Sequence, residues 1–399
     1  MKQGWEIKKL GEVCELSAGG DVPKDDFSEF QTEEKQVPIY ANGEKNDGLY
    51  GYTSIGKITK PSITVSARGT IGFSVKRLES FCPIVRLIAV TPKDLQILDL
   101  NFLDYAIKGI DFKHSGSSIP QLTIPMIRDY EIPLPPLPEQ QRIVAILDEA
   151  FAAIAKAKAN VQQNLQNAKE LFENYLQGVF ENKGEGWEEK TLGEVCEYIK
   201  TPHNKSDLPY VGLEDIQSNS GLFIGTFEPK SVKSTTFRFS NEHVLYGRLR
   251  PYLNKVLLPD FEGHCSTEIF PIKPKKNILD RTYLFHWLIA TETMKKINAT
   301  WTGATLPRAN MNTVLDFKLL VPPLKTQQSI VKKLDALNAE TKKLERLYQQ
   351  KINDLEELKK SVLQKAFSGE LSSPERVLSA NDGRSPSDKN KNKKSPERA

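Results

Sequence analysis

Apolar residues after Pro138 return every three or four positions, at Ile143, Leu147, Ala150, Ile154, Ala157, Val161, Leu165, Ala168, Phe172, Tyr175 and Val179. That alternation is the seam of a coiled coil rather than the broader stripe of a globular helix. Pro138 suits a first helical turn, and no Gly or Pro interrupts the pattern until Gly178. About 40 residues at ~1.5 Å each make a rod of roughly 60 Å. The pattern is written again at Ile330, Leu334, Leu337, Leu344, Leu347, Leu355, Leu358 and Val362, with Thr341 and Lys351 falling on the seam. Two equal rods in one chain can bury their seams on each other, as a pair of antiparallel helices.

Residues 1–137 and 184–324 lack that period. Runs such as Ser62–Ser66, Pro83–Val90 and His243–Tyr246 read as strands, and Asn42-Gly43 and Asn46-Asp47-Gly48 as turns. Helical pieces are expected near Leu98–Lys108 and Arg281–Lys296. The predicted class is α+β: two mostly-β domains, 1–137 and 184–324, related by a pseudo-two-fold repeat and joined by two long antiparallel coiled-coil helices, 138–183 and 325–372. Residues 373–399, with Ser-Pro-Glu-Arg written twice among Lys and Asn, read as a disordered basic tail.

The repeat is explicit. Trp5 to Glu15 returns as Trp187 to Glu197 with nine of eleven residues identical. Gly116 to Asp148 returns ungapped as Gly303 to Asp335, keeping Pro-Pro-Leu, Gln140-Gln141/Gln327-Gln328, Ile143-Val144/Ile330-Val331 and Leu147-Asp148/Leu334-Asp335. Offsets of 182 and 187 residues make each unit a whole domain with its helix. Between these pieces, residues 17–115 and 199–302 show no alignment. A scaffold kept twice with divergent contents presents two different surfaces.

Composition adds limits. With 39% hydrophobic and 27% charged residues the chain reads as soluble, and no apolar run reaches the length of a membrane span. Met1-Lys2-Gln3-Gly4-Trp5 lacks the apolar stretch of a signal peptide, which points to the cytoplasm. The four cysteines have no Cys-x-x-Cys spacing and read as small buried thiols, not metal ligands. Three of the four net positive charges lie in the tail, so an anion-binding surface must be a local patch.

Catalytic motifs are missing. There is no phosphate-binding Gly-x-x-x-x-Gly-Lys loop, no Asn/Asp-Pro-Pro-aromatic methyltransferase tetrapeptide, and no acid-x-Lys after Pro259-Asp260 to complete a nuclease motif. No catalytic residue is expected, and a remnant of a fused methyltransferase-nuclease is disfavoured. Binding chemistry is richer. Arg68, Gly69 and Thr70 form a Gly-flanked turn after a strand, where backbone N–H groups can approach a phosphate and an Arg fork can meet a phosphate or guanine. Lys57, Lys60, Lys76 and Arg77 lie nearby in sequence. In the second domain, Arg248, Arg250, Tyr252, Asn254 and Lys255 fall within ten residues, with strand alternation placing both arginines on one face. The loops before the rods add Ser117, Gln121 and Arg308. Each cluster equally admits a bland reading as turn glycines and charged strand edges.

With these residues in hand, the chain resembles the specificity subunit of type I restriction-modification systems. The resemblance rests on Trp-x-x-x-x-Leu-Gly-Glu-Val, on Ala67 to Gly72, on Arg250 to Lys255, and on the twice-written Pro-Pro-Leu-x-x-Gln-Gln-x-Ile-Val-x-x-Leu-Asp, and it spans residues 4–370. It implies a chain that selects double-stranded DNA for others, each β-rich target-recognition domain reading one half of a split site. It implies two copies of a modification subunit docked about the helices, here through Gln140, Gln141, Ile143, Gln327, Gln328 and Ile330, and further restriction subunits. S-adenosylmethionine, ATP and Mg would bind those partners, with no cofactor or metal on this chain. The basic tail is not demanded by the family. The competing expectation is a pseudo-symmetric adaptor that binds protein rather than DNA.

Overall fold

The computed structural model describes residues 4–112, 120–198, 200–203, 207–303 and 305–371. The expected tail, 373–399, lies outside them. The chain forms two units, one from residues 1–160 and 351–399, the other from 161–350.

In the first unit, strand Glu6–Lys9 pairs antiparallel with Glu131–Leu134, so the two repeated motifs close upon each other. Between them runs an antiparallel sheet in the order Cys14–Ala18, Leu87–Pro92, Ser62–Ser66, Ser74–Arg77. Its two inner strands are buried at every residue: Leu87–Pro92 opens as a continuous apolar run, whereas Ser62–Ser66 alternates and buries its hydroxyls, that of Ser62 against Thr91 and that of Thr64 on the Val75 carbonyl. The strand expected over Pro83–Val90 is broken at Arg86, whose φ of 68° turns the chain between Cys82–Pro83 and Leu87–Pro92. A smaller sheet orders Leu49–Thr53, Val37–Tyr40 and Cys82–Pro83. Helix Leu100–Lys108 starts at Asp99, whose carboxylate accepts from the amides of Asn101 and Phe102 at 2.9 Å. Its Phe102, Leu103 and Ile107 meet Ile143, Leu147 and Ala150 of the first long helix and Val362 and Ala366 of the second in one core.

The second unit repeats the plan. Glu188–Thr191 pairs with Lys318–Val321, and a sheet runs Cys196–Glu197, Ile269–Pro274, Val244–Gly247, Val256–Leu257. Another orders Pro202–His203, Thr236–Phe239, Gly263–Ser266 and Tyr210–Val211. Asp280 caps helix Arg281–Ile289 as Asp99 does its counterpart. The helix expected to reach Lys296 breaks at Ala290, where ψ is 138°, and resumes as Thr291–Asn298.

The long helices are Leu137–Glu181 and Leu324–Ser368. Within the first unit Lys158 pairs with Glu356 and Lys359 lies over the Phe151 ring. Within the second, Leu176, Phe172 and Phe180 pack with Leu334 and Ile330. In the first unit Phe151 meets Lys359 and Lys158 meets Glu356, rising numbers against falling, so the helices pair antiparallel there. The seam differs from expectation in one stretch. Tyr175, Leu344 and Leu347 are 40%, 37% and 49% exposed, Lys351 is exposed, and Leu176 takes the buried place beside Tyr175, while Thr341 is buried on the seam as expected. A helix of 3.6 residues per turn drifts about 20° per heptad against a 3.5 repeat, so the buried stripe steps onto the neighbouring residue.

The long helices are fastened to their units by the same side chain twice. Gln140 is fully buried: its Oε1 accepts from the Asp99 amide at 2.8 Å, and its Nε2 donates to the carbonyls of Ile97 and Pro135, both at 2.8 Å. Gln327 does the same with the Asp280 amide at 2.7 Å and the carbonyls of Ile278 and Pro322 at 2.8 and 2.7 Å. Both glutamines, expected to face a partner, are therefore internal braces. Ile143 is buried and Ile330 half-buried in the core, whereas Gln141 and Gln328 are exposed. All four cysteines are buried and free, and burial pushes the Cys14 and Cys196 thiols up to about 12. No thiolate forms there near neutral pH.

Acid should loosen the second unit first. Burial holds His243, His264 and His286 below the ordinary imidazole value of 6.5, although Asp335 pulls His286 the other way. Above that value both folded and unfolded chains keep these rings neutral. As pH falls below it, the unfolded chain takes up protons that the buried rings refuse, so folding stability is lost. Among the described residues the first unit has no histidine. Amide protection factors, corrected for the intrinsic pH dependence of exchange, should fall between pH 7.5 and 5.5 in residues 200–300 and not in the sheet of the first unit; a uniform fall would refute this assignment.

Candidate nucleic-acid interface

Backbone hydrogen bonds reveal an equivalence that the sequences hide. The Ala67 amide donates to the Arg86 carbonyl at 2.9 Å, and the Leu122 amide to the Ala67 carbonyl at 2.8 Å. In the second unit the Arg248 amide donates to the Glu268 carbonyl and the Ala309 amide to the Arg248 carbonyl, both at 2.9 Å. Arg68 bridges to Gln121 as Leu249 does to Arg308. Hence Ala67 matches Arg248, Arg68 matches Leu249, Gly69 matches Arg250, Arg86 matches Glu268 and Gln121 matches Arg308. The frame is one; the side chains on it are not.

In the first unit, Arg68 leaves the end of strand Ser62–Ser66, its backbone held by the Asn42 side-chain amide. Gly69, at φ 73°, and Thr70 are exposed at the same turn. Arg68, Arg86, Gln121, Gly19 and Gly20 line a single cleft. Lys57 stands at its edge, its Nζ 3.1 Å from where a Cβ on Gly20 would sit. Lys60 and Lys76 do not join them: Lys60 precedes the strand, and Lys76 pairs with Ile63 near its start and donates to Asn101. The strand puts roughly 15 Å between its two ends, so these lysines face a different region. Arg77 must be withdrawn. It is 7% exposed, lies 3.4 Å over the Tyr40 ring, and donates to Thr64 Oγ1 and the Asp47 carbonyl. Ser117 lies outside the described residues.

In the second unit the expected strand ends at Gly247, so the predicted shared face of Arg248 and Arg250 is not formed. Arg250 instead takes a left-handed conformation, φ 51°, at the start of the turn Pro251–Leu253, with its side chain exposed. Arg248 and Arg308 converge on Glu268: Arg248 Nε reaches one carboxylate oxygen at 2.8 Å, and Arg308 Nε and Nη2 reach the other at 3.0 and 2.9 Å. Burial pulls the Glu268 carboxyl up, but the two arginines outweigh it and hold it below its usual range. Tyr252 is exposed, with the exposed Trp301 ring set edge-on to it at 6.3 Å. Asn254 is 4% exposed and caps the Ile289 carbonyl freed by the helix break, at 3.0 Å, and Lys255 donates to the Leu213 carbonyl. Both are occupied within the fold and leave the candidate set.

Sequence reasoning missed Arg86, Glu268 and Trp301. Arg86 sat inside an apparent strand, and only the fold shows the turn. Trp301, immediately ahead of the Gly303 loop, was visible as an aromatic beside an already suspected segment. Among the described residues, no group of three or more His, Cys, Asp or Glu is placed to hold a metal ion, and no helix is long and apolar enough to cross a membrane.

The family model for the type I restriction modification DNA specificity domain matches residues 2–166 and again 184–357. The EcoDI type I restriction enzyme specificity subunit of Escherichia coli is 24% identical over 419 residues, covering 92% of this chain and 88% of its own length. A Mycoplasma pneumoniae protein named as a candidate type I specificity subunit is 36% identical over 185 residues, but this covers only 45% of the chain and 49% of that relative. Among solved structures, a chain from work on assembly and conformational transition of the type I R-M system superposes with TM-score 0.75 at 19% identity, over 93% of this chain and 99% of that one. The HsdS subunit from Thermoanaerobacter tengcongensis gives 0.58 at 19% identity, over 93% and 98%.

Proposed function

Because the chain belongs to the type I restriction-modification DNA specificity family, we propose that it chooses the DNA sequence on which other subunits act, each β-rich unit reading one half of an asymmetric, two-part site. One observation carries this reading. The same backbone frame holds Ala67, Arg86 and Gln121 in one unit and Arg248, Glu268 and Arg308 in the other. Phosphate contacts set register, and base edges supply sequence; readers of the same half-site would need the same base-facing groups. Arg68 and Arg250 present arginine forks on this surface, Lys57 a phosphate contact, and Tyr252 with Trp301 a surface for sugar or base faces.

Cutting and methyl transfer then fall to partner subunits, which bind S-adenosylmethionine, ATP and Mg in the cytoplasm. The long helices act as spacer and, through Gln141, Gln328 and the exposed Leu171, Tyr175, Leu344 and Leu347, as the surface for two modification subunits. No observation favours the protein-binding adaptor.

Expressed with its modification subunit in a host free of other adenine methylation, the chain should direct methylation to one motif of two unlike parts around an unread gap. Omitting the chain should abolish that methylation. DNA affinity of the complex should fall steeply with salt, by about 0.9 logarithmic units per phosphate contact for each tenfold rise. Methylation at an uninterrupted motif, or without any motif, would contradict the two-reader scheme.

A further inference from the structure

Six non-glycine residues among those described adopt positive φ, and four are Asn or Asp, which tolerate that conformation. The other two are Arg86, at φ 68°, and Arg250, at φ 51°. An arginine gains nothing from the left-handed region, and Gly or Asn would sit there more cheaply. Each of these arginines lies at one of the two matched turns on the candidate interface, one per unit, but the turns are exchanged. In the first unit the strand-end turn holds Gly69 and the neighbouring turn holds Arg86. In the second the strand-end turn holds Arg250 and the neighbouring turn holds Glu268.

The Arg86 turn is held rigidly. The Gly19 amide donates to the Leu87 carbonyl at 2.7 Å, the Val85 amide to the Gly20 carbonyl at 2.9 Å, and the Ala67 amide to Arg86 itself. A Cβ on Gly19 would lie 2.3 Å from the Ile84 carbonyl oxygen, so the backbones touch there. The Arg86 side chain is exposed, lines the cleft with Arg68, and has no hydrogen-bond or ion-pair partner among the described residues. By contrast Arg248 and Arg308 are already engaged by Glu268. A fixed backbone carrying a free planar fork is suited to a base edge, where placement matters, more than to a phosphate, where charge alone suffices.

Resting on the DNA-reading function above, we propose that Arg86 is a specificity-determining residue of the first unit, donating its fork to a guanine edge in that unit's half-site. Arg250 is its functional counterpart in the second unit, presented from the other turn, so the two halves are read with differently placed donors.

The test is selection from a pool of duplexes with randomised cores, using the full chain bound to its modification subunit. Wild type should enrich a two-part motif. R86A should make one position degenerate in one half, leave the other half unchanged, and bind the wild-type motif about ten- to a hundred-fold more weakly. R86K keeps the charge without the fork and should leave that position degenerate. R86G relieves the backbone, so its melting temperature should not fall, yet it should show the same degeneracy, which excludes a merely structural role. R250A should relax the opposite half. An unchanged R86A motif, or equal weakening on all sequences, would overturn the assignment while leaving the two-reader function standing. Failure of wild type to enrich any motif would instead overturn that function, and this inference with it.

Discussion

Gln140→Leu should destabilise the first unit by at least about 3 kcal/mol, since the Asp99 amide and two carbonyls each lose a buried partner at roughly 1–3 kcal/mol apiece. For a unit of this size that is a fall of about 6–12 °C in melting temperature. Gln327→Leu should produce the same loss in the second unit, because the three bonds are reproduced almost to the tenth of an ångström. Calorimetry of the full chain would show whichever transition belongs to the altered unit moving down and the other staying. Shifts under 2 °C would mean that the buried amide is replaceable. Gln141→Leu and Gln328→Leu, on exposed neighbours, should leave both transitions in place.

Arg77→Ala carries the second large effect. Its guanidinium stacks on Tyr40 and donates to Thr64 and the Asp47 carbonyl. Removal takes a donor from the Asp47 carbonyl and from the Thr64 hydroxyl, which keeps its own bond to the Val75 carbonyl, loses a desolvated cation–π contact and leaves a void, together about 2–4 kcal/mol. The unit should melt earlier, yet chain that remains folded should enrich the wild-type DNA motif. A relaxed motif with unchanged melting would return Arg77 to the DNA surface. Together with Arg86→Ala, this separates an arginine that holds the unit from one that reads.

The α+β class, the twin long helices and their antiparallel pairing were legible in the chain, because heptad spacing and literal repetition survive as patterns in one dimension. Ser62–Ser66 was legible because Ile63, Thr64 and Val65 are β-branched and polar residues alternate with apolar ones. What escaped depends on three-dimensional closure. Arg86 looked like one polar residue in a strand, and only its positive φ and the Gly19–Gly20 segment beside it disclose a turn. Gln140 and Gln327 were conspicuous by repetition, but sequence does not say whether a repeated amide faces a partner or its own backbone. Arg248 and Arg250 were grouped by alternation, a rule that lapses where the strand stops at Gly247. Asn254 was grouped with them as a reader, whereas it caps a helix break that the period of Arg281–Lys296 did not announce.

The short strand pairs Glu6–Lys9 with Glu131–Leu134, and Glu188–Thr191 with Lys318–Val321, bring the two ends of each unit side by side. Residues 17–115 and 199–302, which show no alignment, lie inside those clasps, and repeated text flanks them: Trp5–Glu15 with Trp187–Glu197 on one side, Pro135–Asp148 with Pro322–Asp335 on the other. A genetic crossover within that shared text would therefore exchange one set of loops for another without opening a clasp or shortening a helix. New preferences could then be acquired as a whole cassette rather than one substitution at a time.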